Sequence, residues 1–352
     1  YVYFIASPEN AIQRYLYRIK MDGKGKLELV SPANLKGTHG YEISPGASLA
    51  LHTFTNRNTP LVSEWIKLPE HTALQDNQSI ANKIKTVERK NLEFFTITTE
   101  DNVTMDGWII TPENFDSSKK YPVLLYVYGE PGNTTVEDKF ATGGNRLFDG
   151  DLSKSGYFYV SFNNRGTPTL KGSAWRKAIY RDIGGINIRD QAMAMKKLLQ
   201  QRPYLDTARV ASWGWSGGGS STLNLLFQYP DIFKTGIAVA AVANQLTYDN
   251  IYQERYMGPP QQTKADYIKG SPVTYAKNLR GNLLYIHGTG DDNVHYQNAE
   301  MLLNELIKYN KQFQFMAYPN RTHGISEGEG TTKHLRTLYT EYLLKYCPPG
   351  GR

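Results

Sequence analysis

The run Gly214-Trp215-Ser216-Gly217-Gly218 constrains this chain most, because a G-x-S-x-G turn carries chemistry only when a strand feeds it and a helix leaves it. Both are present. Val210-Ala211-Ser212-Trp213 is short, apolar and strand-forming, and Ser220-Ser221-Thr222-Leu223-Asn224-Leu225-Leu226-Phe227 reads as a helix of small residues that can lie close to a sheet. A turn sharp enough to expose a serine oxygen has cramped dihedrals, which flanking glycines accommodate. Ser216 is therefore the candidate nucleophile. A glycine-rich turn that merely joins two elements shows the same five letters, so the rest of the chain decides between them.

Residues 1 to 75 read as short strands punctuated by turns. Tyr15-Leu16-Tyr17-Arg18-Ile19-Lys20 and Leu27-Glu28-Leu29-Val30 flank an Asp-Gly turn, and Gly40 to Phe54 reverses at Ser44-Pro45-Gly46. Val62 to Leu68 adds a further strand. This spacing fits one or two blades of a β-propeller, or else an antiparallel appendage packed on an edge. The polar stretch 76–91 serves as a linker, and residues 92–352 form the catalytic domain. Residue 1 opens inside the strand-like run Tyr1-Val2-Tyr3-Phe4-Ile5, so the chain reads as a piece of a longer protein.

From Leu92 the rhythm changes. A hairpin, Glu93 to Thr98 with Met105 to Ile110, precedes strands at Val123–Tyr128, Tyr157–Phe162, Val210–Trp213, Gly236–Ala240, Leu283–His287 and Phe313–Tyr318. Helical stretches near 182–201, 217–228, 295–310 and 331–346 alternate with them. Such alternation predicts a mostly parallel sheet covered on both faces, in the layout of an α/β-hydrolase.

That layout orders the catalytic groups as serine, acid, histidine, each after its own strand. Gly288-Thr289-Gly290-Asp291-Asp292-Asn293-Val294 follows the fifth of those strands, and Pro319-Asn320-Arg321-Thr322-His323-Gly324 follows the sixth. Of seven histidines, His295, His323 and His334 come after the acid, and His295 and His334 fall on helical stretches, which leaves His323 as the base. Asp291 is taken as the acid and Asp292 as a helix cap or loop anchor. The oxyanion would be met by the backbone N–H of Gly217 and by a donor from Tyr128-Gly129-Glu130-Pro131-Gly132, where Tyr128 offers a phenol or else simply packs on the core.

Composition excludes several classes. With 40 Lys+Arg against 33 Asp+Glu the chain is basic, yet the charges are scattered, without the basic-aromatic stripes of a nucleic-acid binder. One cysteine, Cys347, supports neither a disulfide framework nor a cysteine metal site. There is no H-E-x-x-H, so neither metal nor cofactor is expected, and no apolar run of about 18 residues could span a membrane.

Several separated motifs then agree. Gly214-Trp215-Ser216-x-Gly218-Gly219, the run His287 to His295, Glu254-Arg255-Tyr256-Met257-Gly258 and Asn164-Arg165-Gly166 together resemble the prolyl oligopeptidase family, most closely its dipeptidyl peptidase IV branch. The resemblance implies a β-propeller before the hydrolase domain, of which residues 1 to 75 would be the last blades, and a serine peptidase that releases N-terminal X-Pro or X-Ala dipeptides. It implies Tyr128 as the tyrosine oxyanion donor, Asn293 as a substrate-carbonyl contact, and Val242, Tyr248, Tyr252 and Val294 as an apolar S1 pocket. It further implies a homodimer in the periplasm or outside the cell. Arg165 is expected to pair with a carboxylate. Two positions depart from the branch: Gly217 stands where it carries a tyrosine, and Gln245 where its pocket tryptophan belongs. Both changes should enlarge or polarise S1. A carboxylesterase or acyl-peptide hydrolase would keep the same triad, and an interaction subunit would have lost it.

Overall fold

The computed structural model describes residues 1–77, 79, 82, 83 and 91–352. The chain divides into two compact units. The first holds residues 1–90 with the excursions 136–144 and 169–172; the second holds 91–135, 145–168 and 173–352. Most of the linker expected at 76–91 lies outside the described residues. The catalytic stretch is not continuous as expected from 92 to 352, because its two excursions belong to the first unit. Polar anchors explain the first of them: Arg14 pairs with Glu137 at 2.8 Å, and Asp138 accepts from the Gln13 amide and the Arg57 N–H.

In the first unit, β1 (Val2–Ala6), β2 (Tyr15–Ile19) and β3 (Glu28–Leu29) form one antiparallel sheet. A second, four-stranded and antiparallel, orders β4 (Thr38–Ile43), β5 (Leu49–Asn56), β6 (Thr59–Lys67) and β7 (Thr72–Asp76) in sequence. This up-and-down meander is the form of a propeller blade. β7 has no counterpart in the sequence reading because every one of its residues is exposed, so no apolar alternation marks it.

The second unit is built on one eight-stranded sheet in the order β15-β14-β13-β12-β10-β11-β9-β8. Its strands are β8 (Leu92–Thr98), β9 (Thr104–Ile110), β10 (Tyr121–Tyr126), β11 (Phe158–Asn163), β12 (Leu205–Trp215), β13 (Thr235–Val239), β14 (Asn282–Gly288) and β15 (Gln314–Tyr318). β10 to β15 are mutually parallel, and β9 runs against them. Val123, Leu124, Leu125, Ile237, Ala238 and Val239 are wholly buried, as strands covered on both faces must be.

The helix Gly217–Gln228 is buried over its whole length except the last residue, which accounts for its small side chains. The helix expected from 182 begins at Ile186 instead. Gly184 has φ +82°, and a Cβ there would lie 2.1 Å from the Gly270 carbonyl oxygen, so this segment is a tight turn against its neighbour. Helices Ser173–Lys177, Asn250–Met257 and Pro260–Gly270 had left no sequence signal, since between them they bury only Gln253, Met257, Thr263, Tyr267 and Gly270.

Candidate active site

Strand order positions the site. β10 lies between β11 and β12, so the chain leaves the carboxyl end of β10 to one side and that of β12 to the other, opening a crevice between the two loops. Ser216 stands at the end of β12 with φ +59° and ψ −123°, a strained conformation for a residue with a side chain. Its N–H donates to the Val239 carbonyl at 2.8 Å. Glycine is required beside it. A Cβ on Gly214 would come within 2.3 Å of Gly218, and one on Gly218 within 2.3 Å of the Val127 oxygen, so strand, turn and helix approach closer than any side chain permits.

The loop after β14 presents Asp291 and the loop after β15 presents His323. His323 Nδ1 lies 2.8 Å from Asp291 Oδ2. The other carboxylate oxygen accepts the Asn293 N–H at 3.0 Å and the Val294 N–H at 2.8 Å. Buried His287 adds its Nε2 at 3.2 Å from Oδ2. Burial pushes the Asp291 carboxyl up, but the His287 and His323 hydrogen bonds, with the backbone donors, outweigh it and hold the group well below the usual carboxylate range. An anion at that place fixes the His323 proton on Nδ1 and leaves Nε2 as the acceptor. Asp292 and His295 are exposed, and His334 bonds to the Tyr318 hydroxyl. Trp215 Nε1 donates to the His323 carbonyl at 3.0 Å, tying the histidine loop to the residue before Ser216.

On the opposite side, Ser221 in the helix after the elbow donates to the Tyr128 carbonyl at 2.8 Å, and Asn164 donates to the Gly129 carbonyl at 2.9 Å. The Arg165 guanidinium grips buried Asp190 through two bonds of 2.6 and 3.0 Å, which anchors that neighbouring loop. Burial raises the Tyr128 hydroxyl far above its ordinary range, so it stays a donor at neutral pH. Gly217 opens the helix, and its N–H is among those an α-helix cannot satisfy internally.

Residues 151–347 match the family described as "Prolyl oligopeptidase family". The chain belongs to the prolyl oligopeptidase family. It is 35% identical over 335 residues to a protein of Trichophyton verrucosum named "Probable dipeptidyl-aminopeptidase B", covering 92% of this chain and 36% of that protein. A protein of the same name from Uncinocarpus reesii is 36% identical over 338 residues, covering 92% and 35%. The crystal structure of Porphyromonas gingivalis dipeptidyl peptidase 4 superposes with a TM-score of 0.87 at 32% identity, over 98% of this chain and 48% of that one. The chain thus spans about a third of the length of the curated relatives it matches, and its fold is an α/β-hydrolase preceded by part of a β-propeller.

Several of the residues expected to form the pocket are brought into contact. The Tyr248 hydroxyl donates to Asn293 Oδ1 at 2.8 Å, and the Tyr248 and Tyr252 rings meet edge to face with centroids 5.6 Å apart. Val242 is tied to the helix Gly217–Gln228 by its N–H to Ser220 Oγ, and Val294 by its N–H to Asp291. Gln245 is buried with its amide bonded to Gln253. Gly217, however, does not simply leave space. A Cβ on it would meet the Glu130 carboxylate at 2.8 Å, and Tyr252 donates to that same oxygen at 3.1 Å. Glu130 was missed by sequence reasoning, although it stands two residues after Tyr128; nothing local marks it as facing Gly217.

Among the described residues, His52, Glu64 and His71 of the first unit could hold a metal, with ligand atoms within 4.8 Å of one another. His52 already bonds Glu64 at 2.7 Å and His39 at 2.9 Å, and burial lowers the pKa of His39 to about 4 and of His52 to about 3. Among the same residues, no helix is long and apolar enough to cross a membrane.

Proposed function

We propose that this chain carries the catalytic centre of a serine peptidase that cleaves short peptides through an acyl-enzyme, releasing N-terminal X-Pro or X-Ala dipeptides. The observation that carries the reading is the pairing of His323 Nδ1 with Asp291, on a loop bonded to Trp215, the residue before a serine held at a strained strand-to-helix turn. His323 Nε2 takes the Ser216 proton as Oγ attacks the carbonyl carbon. Asp291 stabilises the imidazolium so formed. The oxyanion is met by the Gly217 N–H and the Tyr128 hydroxyl, donors worth about 3–4 kcal/mol each in such sites. His323 then gives its proton to the departing amine, and water resolves the ester by the same path in reverse.

Asn293, with Tyr248 bound to it, contacts a substrate carbonyl, while Val242, Tyr248, Tyr252 and Val294 line S1. Dipeptide release is carried over from the relatives' names, whereas a homodimer and a place in the periplasm or outside the cell rest on the family resemblance alone. The test uses full-length protein: kcat/KM for a free-amine X-Pro chromogenic amide beside its N-acylated form and a short-chain ester. Preference for the free amine supports the reading. Turnover of the ester alone moves the protein to a carboxylesterase, and Ser216→Ala that folds yet still hydrolyses the amide overturns the mechanism.

A further inference from the structure

One buried ionisable side chain near Ser216 has no part in that mechanism. Glu130 is 4% exposed, and its Oε2 accepts the Tyr252 hydroxyl at 3.1 Å. A Cβ on Gly217 would meet this oxygen at 2.8 Å and the carboxyl carbon at 2.9 Å. The carboxyl therefore lies over the residue that follows the nucleophile, in the volume a side chain at 217 would fill. It also acts electrostatically on Tyr128 and Tyr248. Gly217 and Tyr128 are the proposed oxyanion donors, and Tyr248 and Tyr252 the proposed S1 wall, so Glu130 touches or faces both.

We propose that Glu130 makes S1 a carboxylate subsite selective for a P1 side chain that carries a positive charge, a lysine ammonium or an arginine guanidinium. This rests on the serine peptidase reading and puts a cationic residue at P1 where that reading carried over proline or alanine. A buried carboxyl is costly unless a cation or several donors satisfy it. Here burial raises its pKa to about 7, opposed only by the Tyr252 hydroxyl. The other titratable groups facing it, Tyr128 and Tyr248, are themselves kept protonated by burial, and the Asp291 anion also acts on Tyr248. Once ionised, Glu130 opposes the negative charge that develops on the substrate oxygen between Tyr128 and Gly217. A P1 cation cancels that opposition and satisfies the carboxylate; proline or alanine does neither. Phenol rings along the wall suit the apolar stem and charged tip of lysine or arginine.

The sign of the pH dependence follows. Glu130 is neutral below about 7 and anionic above it, so preference for a cationic P1 rises with pH across that value. The experiment measures kcat/KM of the full-length protein on free-amine X-Lys, X-norleucine, X-Pro and X-Ala amides at pH 6 and pH 8. Norleucine matches the lysine stem without its charge. We expect X-Lys to exceed X-norleucine about 30-fold at pH 8, less at pH 6, and the ratio to fall to within about 3-fold in Glu130→Gln. Inhibition by n-butylammonium, stronger at pH 8 than at pH 6, reads the same subsite without a variant. A ratio near one, or one unchanged in Glu130→Gln, overturns the assignment, as does equal inhibition at both pH values. A fluorophosphonate separates the two readings. Labelling of Ser216 with no charge preference at P1 overturns the role of Glu130 alone; no labelling and no hydrolysis overturns the peptidase reading and this one with it.

Discussion

Replacing Asp291 by asparagine keeps the shape of the side chain and removes its charge, and the surrounding hydrogen bonds dictate which way the new amide faces. Oδ1 accepts two backbone N–H groups, from Asn293 at 3.0 Å and Val294 at 2.8 Å, so the asparagine oxygen must stay there. The amide nitrogen is then forced to the side where His323 Nδ1 now sits 2.8 Å away. Nitrogen to nitrogen, the amide must donate, which moves the imidazole proton to Nε2 and leaves no acceptor for the Ser216 proton. Loss of the carboxylate also removes attraction for the imidazolium: at a charge separation of roughly 4 Å and an effective dielectric near 20 this is about 4 kcal/mol. Together these effects lower kcat on a peptide amide by about 10³ to 10⁴, with KM little changed. The bond to His287 is lost as well, at about 1–2 kcal/mol of stability, so the assay is run well below the variant's melting temperature. Asp292→Asn, altering an exposed neighbour, serves as the control and should stay within about twofold of wild type. A folded Asp291→Asn enzyme with more than a tenth of wild-type kcat refutes the tautomer argument, and a larger loss in Asp292→Asn refutes the assignment of the acid.

Gly218→Ala places a Cβ 2.3 Å from the Val127 oxygen, and the backbone shift it forces should cost about 1–3 kcal/mol and most of the activity; thermal unfolding and kcat measure both, and a variant as stable and active as wild type contradicts the close approach. Arg165→Ala strands the buried Asp190 carboxylate and should lower the unfolding free energy by about 3 kcal/mol, read as a lower urea midpoint at unchanged slope, whereas a change below about 0.5 kcal/mol would show the pair to be dispensable. Glu130→Gln should change stability with pH. The folded carboxyl titrates near 7 against 4.5 unfolded, so wild type loses stability as pH rises from 4.5 to 7 and stays at that lower level above it. Some 2.5 units correspond to about 3 kcal/mol, so the glutamine variant should gain on wild type by roughly that amount between pH 4.5 and pH 8 in urea titrations; an equal difference at both pH values removes the buried titration.

The sheet and the elbow were legible because their signals are contiguous. Fully buried parallel strands appear as unbroken apolar runs such as Val123 to Leu125, and the glycines around Ser216 mark a turn that sterics alone demand. Chain order after β14 and β15 pointed to Asp291 and His323, though Asp291 and its neighbour are alike by composition. Only the folded loop separates them: one carboxylate is buried under four donors and the other is exposed. Helices that bury little, such as Asn250–Met257, left no periodic trace, and β7, exposed throughout, left none either.

What tertiary structure alone decided is the set of contacts between residues distant along the chain. Ser221 reaches Tyr128 across 93 positions and Tyr252 reaches Glu130 across 122, distances over which no local pattern carries information. The vacancy at Gly217 reads in sequence as room in the pocket. In three dimensions the Glu130 carboxylate occupies it, because burial and packing act through space while spacing and periodicity act along the chain.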